Sequence, residues 1–213
     1  MAGKTVYMYV PDNMADWEPG YAMAELKQGS IFRPGVGPFE VRTFSLSGGA
    51  EVSMGGIRIS PDMGIGGVTP SGSALLLLPG STVWAGPGQE AVIELAKAFA
   101  AAGVPVAGIC GATFALARAG LLDDRPHTSN VLSVLKSLCP QYKGEAFYRE
   151  EPAVTGNGVI TASGMAPLDF ARQILKCLDV ATPETLDLWY KLNSTREPRF
   201  YFELMNSLKP VQG

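Results

Sequence analysis

Cys110 is the residue whose surroundings are best suited to chemistry. It stands in Gly108-Ile109-Cys110-Gly111-Ala112, where a short apolar run over 104–109 gives way at once to a helix-forming segment over 113–119. A thiol at the tip of a strand-turn-helix, with small residues on either side, has the geometry of a nucleophile elbow. It is written with Cys for Ser, and with Ala112 at the last small position. Only a thiolate attacks, and a helix N-terminus favours it through its dipole and free N–H groups. A small apolar cysteine packed at a strand end is the other reading. Packing alone, however, has no need of the sharp turn that Gly108, Gly111 and Ala112 allow. Seventeen residues further on stands His127, the sole histidine of the chain. Between a proline and Thr128-Ser129-Asn130, it reads equally as a base for the thiol and as a satisfied structural histidine.

Two more segments lead to the same place. Thr5 to Val10 reads as a strand buried on both faces. A loop over 11–17 follows, and Glu18-Pro19 starts a helix that runs to about Gln28, where Gly29 ends it. An acid at a helix start is favoured by the dipole. In a partly buried setting its pKa would rise, and it would hold a proton against the thiolate and pass it to and from substrate. Ala74 to Leu78 reads as a fully buried strand ending in Pro79-Gly80-Ser81. Gln89 to Ala102 is an amphipathic helix with Val92, Leu95, Ala96 and Phe99 on one face. The elbow strand comes next. This rhythm implies right-handed crossovers in an open, mostly parallel sheet, hence an α/β three-layer sandwich. Such sheets gather chemistry at the carboxyl ends of their strands. Glu18, Gly80 and Cys110 each lie just past one, so three segments converge on one crevice. The Gly111 amide, following the nucleophile, is the expected oxyanion donor. Trp17 and Trp84 flank the crevice in sequence and either line it or belong to core or rim; Ser81 and Ala112 complete the expected pocket.

The remaining elements frame these. Phe39 to Leu46 is a second strand, and a short hairpin is expected around Val52 to Ile59. The Gly-rich stretch from Asp62 to Pro70 reads as a surface loop in preference to a phosphate loop: no strand leads into it, no helix can follow Thr69-Pro70, and its spacing is not G-x-G-x-x-G. A short helix over 131–138, a hairpin over 153–162 and an apolar helix over 168–178 follow His127. Two helices end the chain. Residues 1–180 are expected to form the α/β domain, with 181–213 as a helical extension packed on it.

With 213 residues, 46% of them hydrophobic, the chain can bury a full core. A net charge of −3 without basic clusters argues against nucleic acid and anionic membrane as partners. No signal-like h-region opens the sequence and no apolar run approaches bilayer length. Three cysteines without paired spacing fit neither a disulfide framework nor a thiolate zinc site. Cys139 and Cys177 read as structural, and a cytoplasmic, reducing location is expected.

Taken in order, Glu18, LLLPGS (76–81), AGICGAT (107–113) with LARAGLL (116–122), HTSN (127–130) and VITASG (159–164) resemble the ThiJ/PfpI superfamily over roughly residues 4 to 180. Its members share the class I glutamine-amidotransferase-like sandwich. The resemblance implies a Glu18/Cys110/His127 site with the imidazole beside the thiol. It also implies a second oxyanion donor at Gly80, from a Pro-Gly-Gly turn in which Ser81 here replaces the second glycine. No metal or organic cofactor is implied, and a homodimer is. The chain departs from other branches. Ser129, two residues after His127, breaks the His-x-Glu pattern of the amidotransferases. Gly111 stands where the peptidases of the superfamily place a histidine. Glu18 replaces the aspartate typical of the isonitrile hydratases. The set is most similar to that of cofactor-independent glyoxalases and deglycases, which act on small electrophilic carbonyls. A hydrolase or hydratase using the same thiol, and a redox sensor working through oxidation of Cys110 to a sulfinic acid, are the alternatives.

Overall fold

The computed structural model describes residues 4–208. Its first half runs β1 (Thr5–Tyr9), α1 (Gly20–Gln28), β2 (Glu40–Ser45), β3 (Glu51–Val52), β4 (Arg58–Ile59), β5 (Met63–Gly64), β6 (Ser73–Leu78) and α2 (Glu90–Ala101). The second half runs β7 (Val106–Ile109), α3 (Ala112–Arg118), α4 (Leu132–Leu138), β8 (Ala153–Gly156), β9 (Val159–Ala162), α5 (Pro167–Cys177), α6 (Pro183–Thr195) and α7 (Pro198–Ser207).

Alternation along the central strands creates the layers. On β1, Val6 and Met8 enter one apolar cluster, while Tyr7 and Tyr9 enter the other. Leu75 and Leu77 of β6 divide from Leu76 and Leu78 in the same way. A strand apolar on both faces must be covered on both. One face takes α1 and α5, through Ala22, Leu26, Phe170 and Ile174. The other takes α2 and α3, through Val92, Phe99, Ala115 and Leu116. The sheet has seven strands in the order β5-β2-β1-β6-β7-β9-β8. All neighbours are parallel except β8, which runs antiparallel to β9 at the edge. β3 and β4 form a separate small antiparallel pair. The three-layer α/β sandwich is therefore the observed architecture.

Three local expectations are corrected. Pro19 caps α1 rather than opening it, so Glu18 stands ahead of the helix. The stretch from Asp62 to Pro70 is not only loop. The Asp62 carboxylate accepts from both the amide and the hydroxyl of Thr43, at 2.7 and 2.8 Å, and so fastens β5 alongside β2. The elbow strand begins at Val106 rather than Val104, because Pro105 has no N–H to give to a ladder; its carbonyl still accepts from Leu76.

α6 and α7 share the core of the sheet. Leu186, Leu188, Trp189, Phe200 and Leu204 belong to the same apolar cluster as β1 and α5. Residues 209–213 of the expected extension lie outside the described residues.

Gly144 packs where a side chain has no room. A Cβ there would stand 2.0 Å from the Leu122 carbonyl oxygen and 2.9 Å from His127 Cε1. Gly144→Ala is expected to lower stability by about 1–3 kcal/mol or more, since backbone has to move. Urea unfolding would show it as a lower midpoint with an unchanged slope.

Candidate active site

The chain reverses at Cys110 with φ 57°, a left-handed backbone that a side chain adopts only under constraint. The constraint is visible. The Cys110 amide donates to Ala162 O at 3.0 Å, and its carbonyl accepts from Thr113 N at 3.1 Å and Thr113 Oγ1 at 2.6 Å. Close packing sets the flanking glycines. A Cβ on Gly108 would meet Leu116 Cδ1 at 2.7 Å, and one on Gly111 would meet Ser81 O at 2.8 Å. The thiol is left partly exposed at the carboxyl end of β7.

Glu18 is fully buried beside it. Oε2 accepts from the Gly80 amide at 2.5 Å, whereas Oε1 has no aligned hydrogen-bond partner. Two glycines make the space. A Cβ on Gly80 would lie 2.5 Å from Glu18 Oε2 and 2.8 Å from Cys110 Cβ. A Cβ on Gly164 would lie 2.9 Å from both Glu18 Oε1 and Cys110 Sγ. Burial pushes the Glu18 carboxyl above the usual carboxylate range, while the Gly80 N–H and the thiol draw it back. Burial also pushes the Cys110 thiol up; Asn130 pulls it down, the Glu18 charge pushes it up and the Gly111 N–H pulls it down. Carboxyl and thiol therefore compete for one proton, and their titrations are coupled.

Asn130 holds the other side of the sulfur. Its Nδ2 donates to Cys110 Sγ at 3.2 Å, and its Oδ1 accepts from Gly164 N at 2.8 Å and from Ser163 Oγ at 3.4 Å. Trp17 Nε1 in turn donates to Gly164 O at 3.2 Å.

The structure does not bring His127 to the thiol. The ring is buried, with Nδ1 2.8 Å from the Arg125 carbonyl and Nε2 2.6 Å from the Tyr142 hydroxyl. These partners assign a neutral ring that donates through Nδ1 and accepts at Nε2, and burial lowers its pKa accordingly. Gly80 is likewise corrected as an oxyanion donor, because its N–H is given to Glu18; the Gly111 N–H remains beside the sulfur. Trp84 does not line a pocket. It is fully buried under the elbow, and its Nε1 donates to Pro79 O at 2.8 Å. Ala112 is also fully buried in the core. Ser81 turns its hydroxyl to Asp12 O, at 2.5 Å, and caps the following turn by accepting from Val83 N. Trp17 is 55% exposed and lines a cleft of about 480 Å³ with Tyr21, Trp189, Tyr201, Leu204 and Met205, beside the thiol site rather than over it.

Asn130 and Gly164 were missed by the sequence reasoning, although both belong to motifs already singled out. No local periodicity singles either of them out, because the chain bends at Asn130 and side-chain alternation does not carry through it. Among the described residues, no group of three or more His, Cys, Asp or Glu side chains is gathered as metal ligands would be.

The same architecture occurs in known proteins. The chain is 41% identical over 208 residues to a Bacillus subtilis protein named uncharacterized protease YoaZ, covering 98% of this chain and 99% of that one. A crystal structure of a thiJ/pfpI family protein from Bacillus anthracis superposes with a TM-score of 0.92 at 42% identity, over 99% of this chain and 100% of that one. A second, the DJ-1 superfamily protein Atu0886 from Agrobacterium tumefaciens, gives 0.80 at 34% identity, over 92% and 99% of the two chains. The profile of the DJ-1/PfpI family matches residues 4–177, and the chain belongs to that family.

Proposed function

We propose that the protein is a cofactor-independent cysteine enzyme acting on small electrophilic carbonyl compounds, with Cys110 as nucleophile and Glu18 as proton carrier. The observation that carries this is the fully buried Glu18, whose Oε2 takes the Gly80 amide while Oε1 has only the thiol to exchange a proton with. A carboxylate left so would be costly, and a carboxyl that takes and returns a proton at that atom removes the cost. A carboxyl whose pKa is raised by burial is suited to hold and return a proton.

On a 2-oxoaldehyde such as methylglyoxal, the steps balance as follows. Cys110 gives its proton to the Glu18 carboxylate, and the thiolate adds to the aldehyde carbon. The resulting alkoxide, beside the Gly111 N–H, takes the proton back to give a hemithioacetal. Glu18 then removes the proton from that carbon and returns it to the neighbouring carbon, while the hemithioacetal hydroxyl proton passes to the neighbouring oxygen, leaving a 2-hydroxy thioester. Water cleaves the C–S bond, releasing the hydroxy acid and restoring the thiol.

Hydrolysis of an amide or ester by the same thiol is a second reading, favoured by the protease name of the Bacillus subtilis relative. There Glu18 would have to protonate the leaving group. A panel of dicarbonyls, amides and esters separates the two. Lack of turnover on all of them, together with selective dioxygenation of Cys110 by mild peroxide, would leave the sensor reading.

Cys110→Ala is expected to abolish lactate formation from methylglyoxal; turnover retained in that variant sinks the proposal. Glu18→Gln is expected to lower kcat by roughly 10²–10⁴-fold. Because the folded Glu18 pKa is raised, the native chain keeps a proton that the unfolded chain releases. The Glu18 contribution to stability is then fully present below the ordinary glutamate pKa and is lost as pH rises through the raised one. Glu18→Gln should flatten that slope in urea titrations at stepped pH. His127→Asn is expected to cost about 1–3 kcal/mol through the stranded Tyr142 hydroxyl, yet to leave the pH dependence of Cys110 alkylation unchanged.

A further inference from the structure

We propose that Asn130 is a further catalytic residue, whose Nδ2 holds the Cys110 sulfur in its ionised, attacking form. This builds on the reading of Cys110 as nucleophile and names the group that replaces an imidazole at the thiol. Nδ2 lies 3.2 Å from Sγ, and the direction of the amide is not free. Oδ1 faces the Gly164 N–H at 2.8 Å and the Ser163 hydroxyl at 3.4 Å. Turning the amide over would set its NH₂ against a backbone N–H donor, which cannot accept it. Gly164 is itself placed, by the Trp17 indole on its carbonyl and by the lack of room for a Cβ. The donor is therefore aimed at the sulfur before any substrate arrives.

A thiolate is a much better acceptor than a thiol, so a fixed N–H donor stabilises the ionised form. Glu18 acts in the opposite sense: its charge opposes that of the sulfur. The two side chains thus divide the work, with the carboxyl moving the proton and the neutral amide receiving the charge left behind. Because an amide does not titrate, the pH dependence of the thiol belongs to the Cys110–Glu18 pair alone.

The test needs no substrate. Alkylation of Cys110 by iodoacetamide is followed against pH in the full chain, with peptide-resolved mass spectrometry to separate it from Cys139 and Cys177. Asn130→Ala should raise the midpoint by about one pH unit, a tenfold loss of thiolate at fixed pH. Asn130→Asp keeps the size of the side chain and its acceptance from Gly164 and Ser163, so folding is preserved. It turns an anion toward the sulfur and should raise the midpoint further. Unchanged midpoints in both variants, or a lowered one in Asn130→Asp, overturn the assignment. A shifted midpoint in a protein that turns over no carbonyl keeps the assignment and defeats the proposed function. A wild-type Cys110 that resists alkylation at every pH defeats both.

Discussion

The site depends on the close approach of a fully buried carboxyl and a partly exposed thiol, which disfavour each other's charged form. Glu18 and Cys110 approach because Gly80 and Gly164 leave out the Cβ atoms that would keep them apart. Burial disfavours the charged form of each, and the charge of one disfavours that of the other. Such a pair resists double ionisation, so it keeps a proton beside the sulfur. The rest of the architecture serves to hold these groups at the mouth of the sheet. The strained turn at Cys110 is fastened on both sides, to β9 through Ala162 and to α3 through Thr113.

Three crossover segments deliver the parts. The loop after β1 carries Trp17 and Glu18, the turn after β6 carries Gly80, and the elbow after β7 carries Cys110. Each follows a parallel strand in the middle of the sheet, where β1, β6 and β7 are neighbours. Parallel strands all end on the same side, so their following turns meet there. A fourth contribution comes from β9, the next strand outward, whose loop supplies Ser163 and Gly164 and anchors Asn130.

His127 shows how a plausible residue can be drawn elsewhere. Its segment bridges to Tyr148, and its ring is gripped by the Arg125 carbonyl and the Tyr142 hydroxyl between two aromatic edges. A neutral, buried imidazole with both nitrogens occupied stabilises the segment that carries Asn130. Gly80 was likewise correctly placed at the site but differently employed, since Glu18 takes its amide. Trp84 and Ala112 lie beneath the elbow instead of around its opening.

The sequence by itself determined the layers and the elbow. Apolar alternation on β1 and β6, the small residues around Cys110, and Gly29 after α1 are local signals, and local sterics and burial act on them directly. Glu18 was legible too, because its place after a central strand follows from chain order. Tertiary structure alone decided which side chain meets the sulfur. That choice turns on the bend at Asn130 and on the arrival of the Ser163-Gly164 loop from a strand far along the chain. No periodicity in residues 127–130 encodes a hydrogen bond to Gly164; it exists only once β7 and β9 lie side by side.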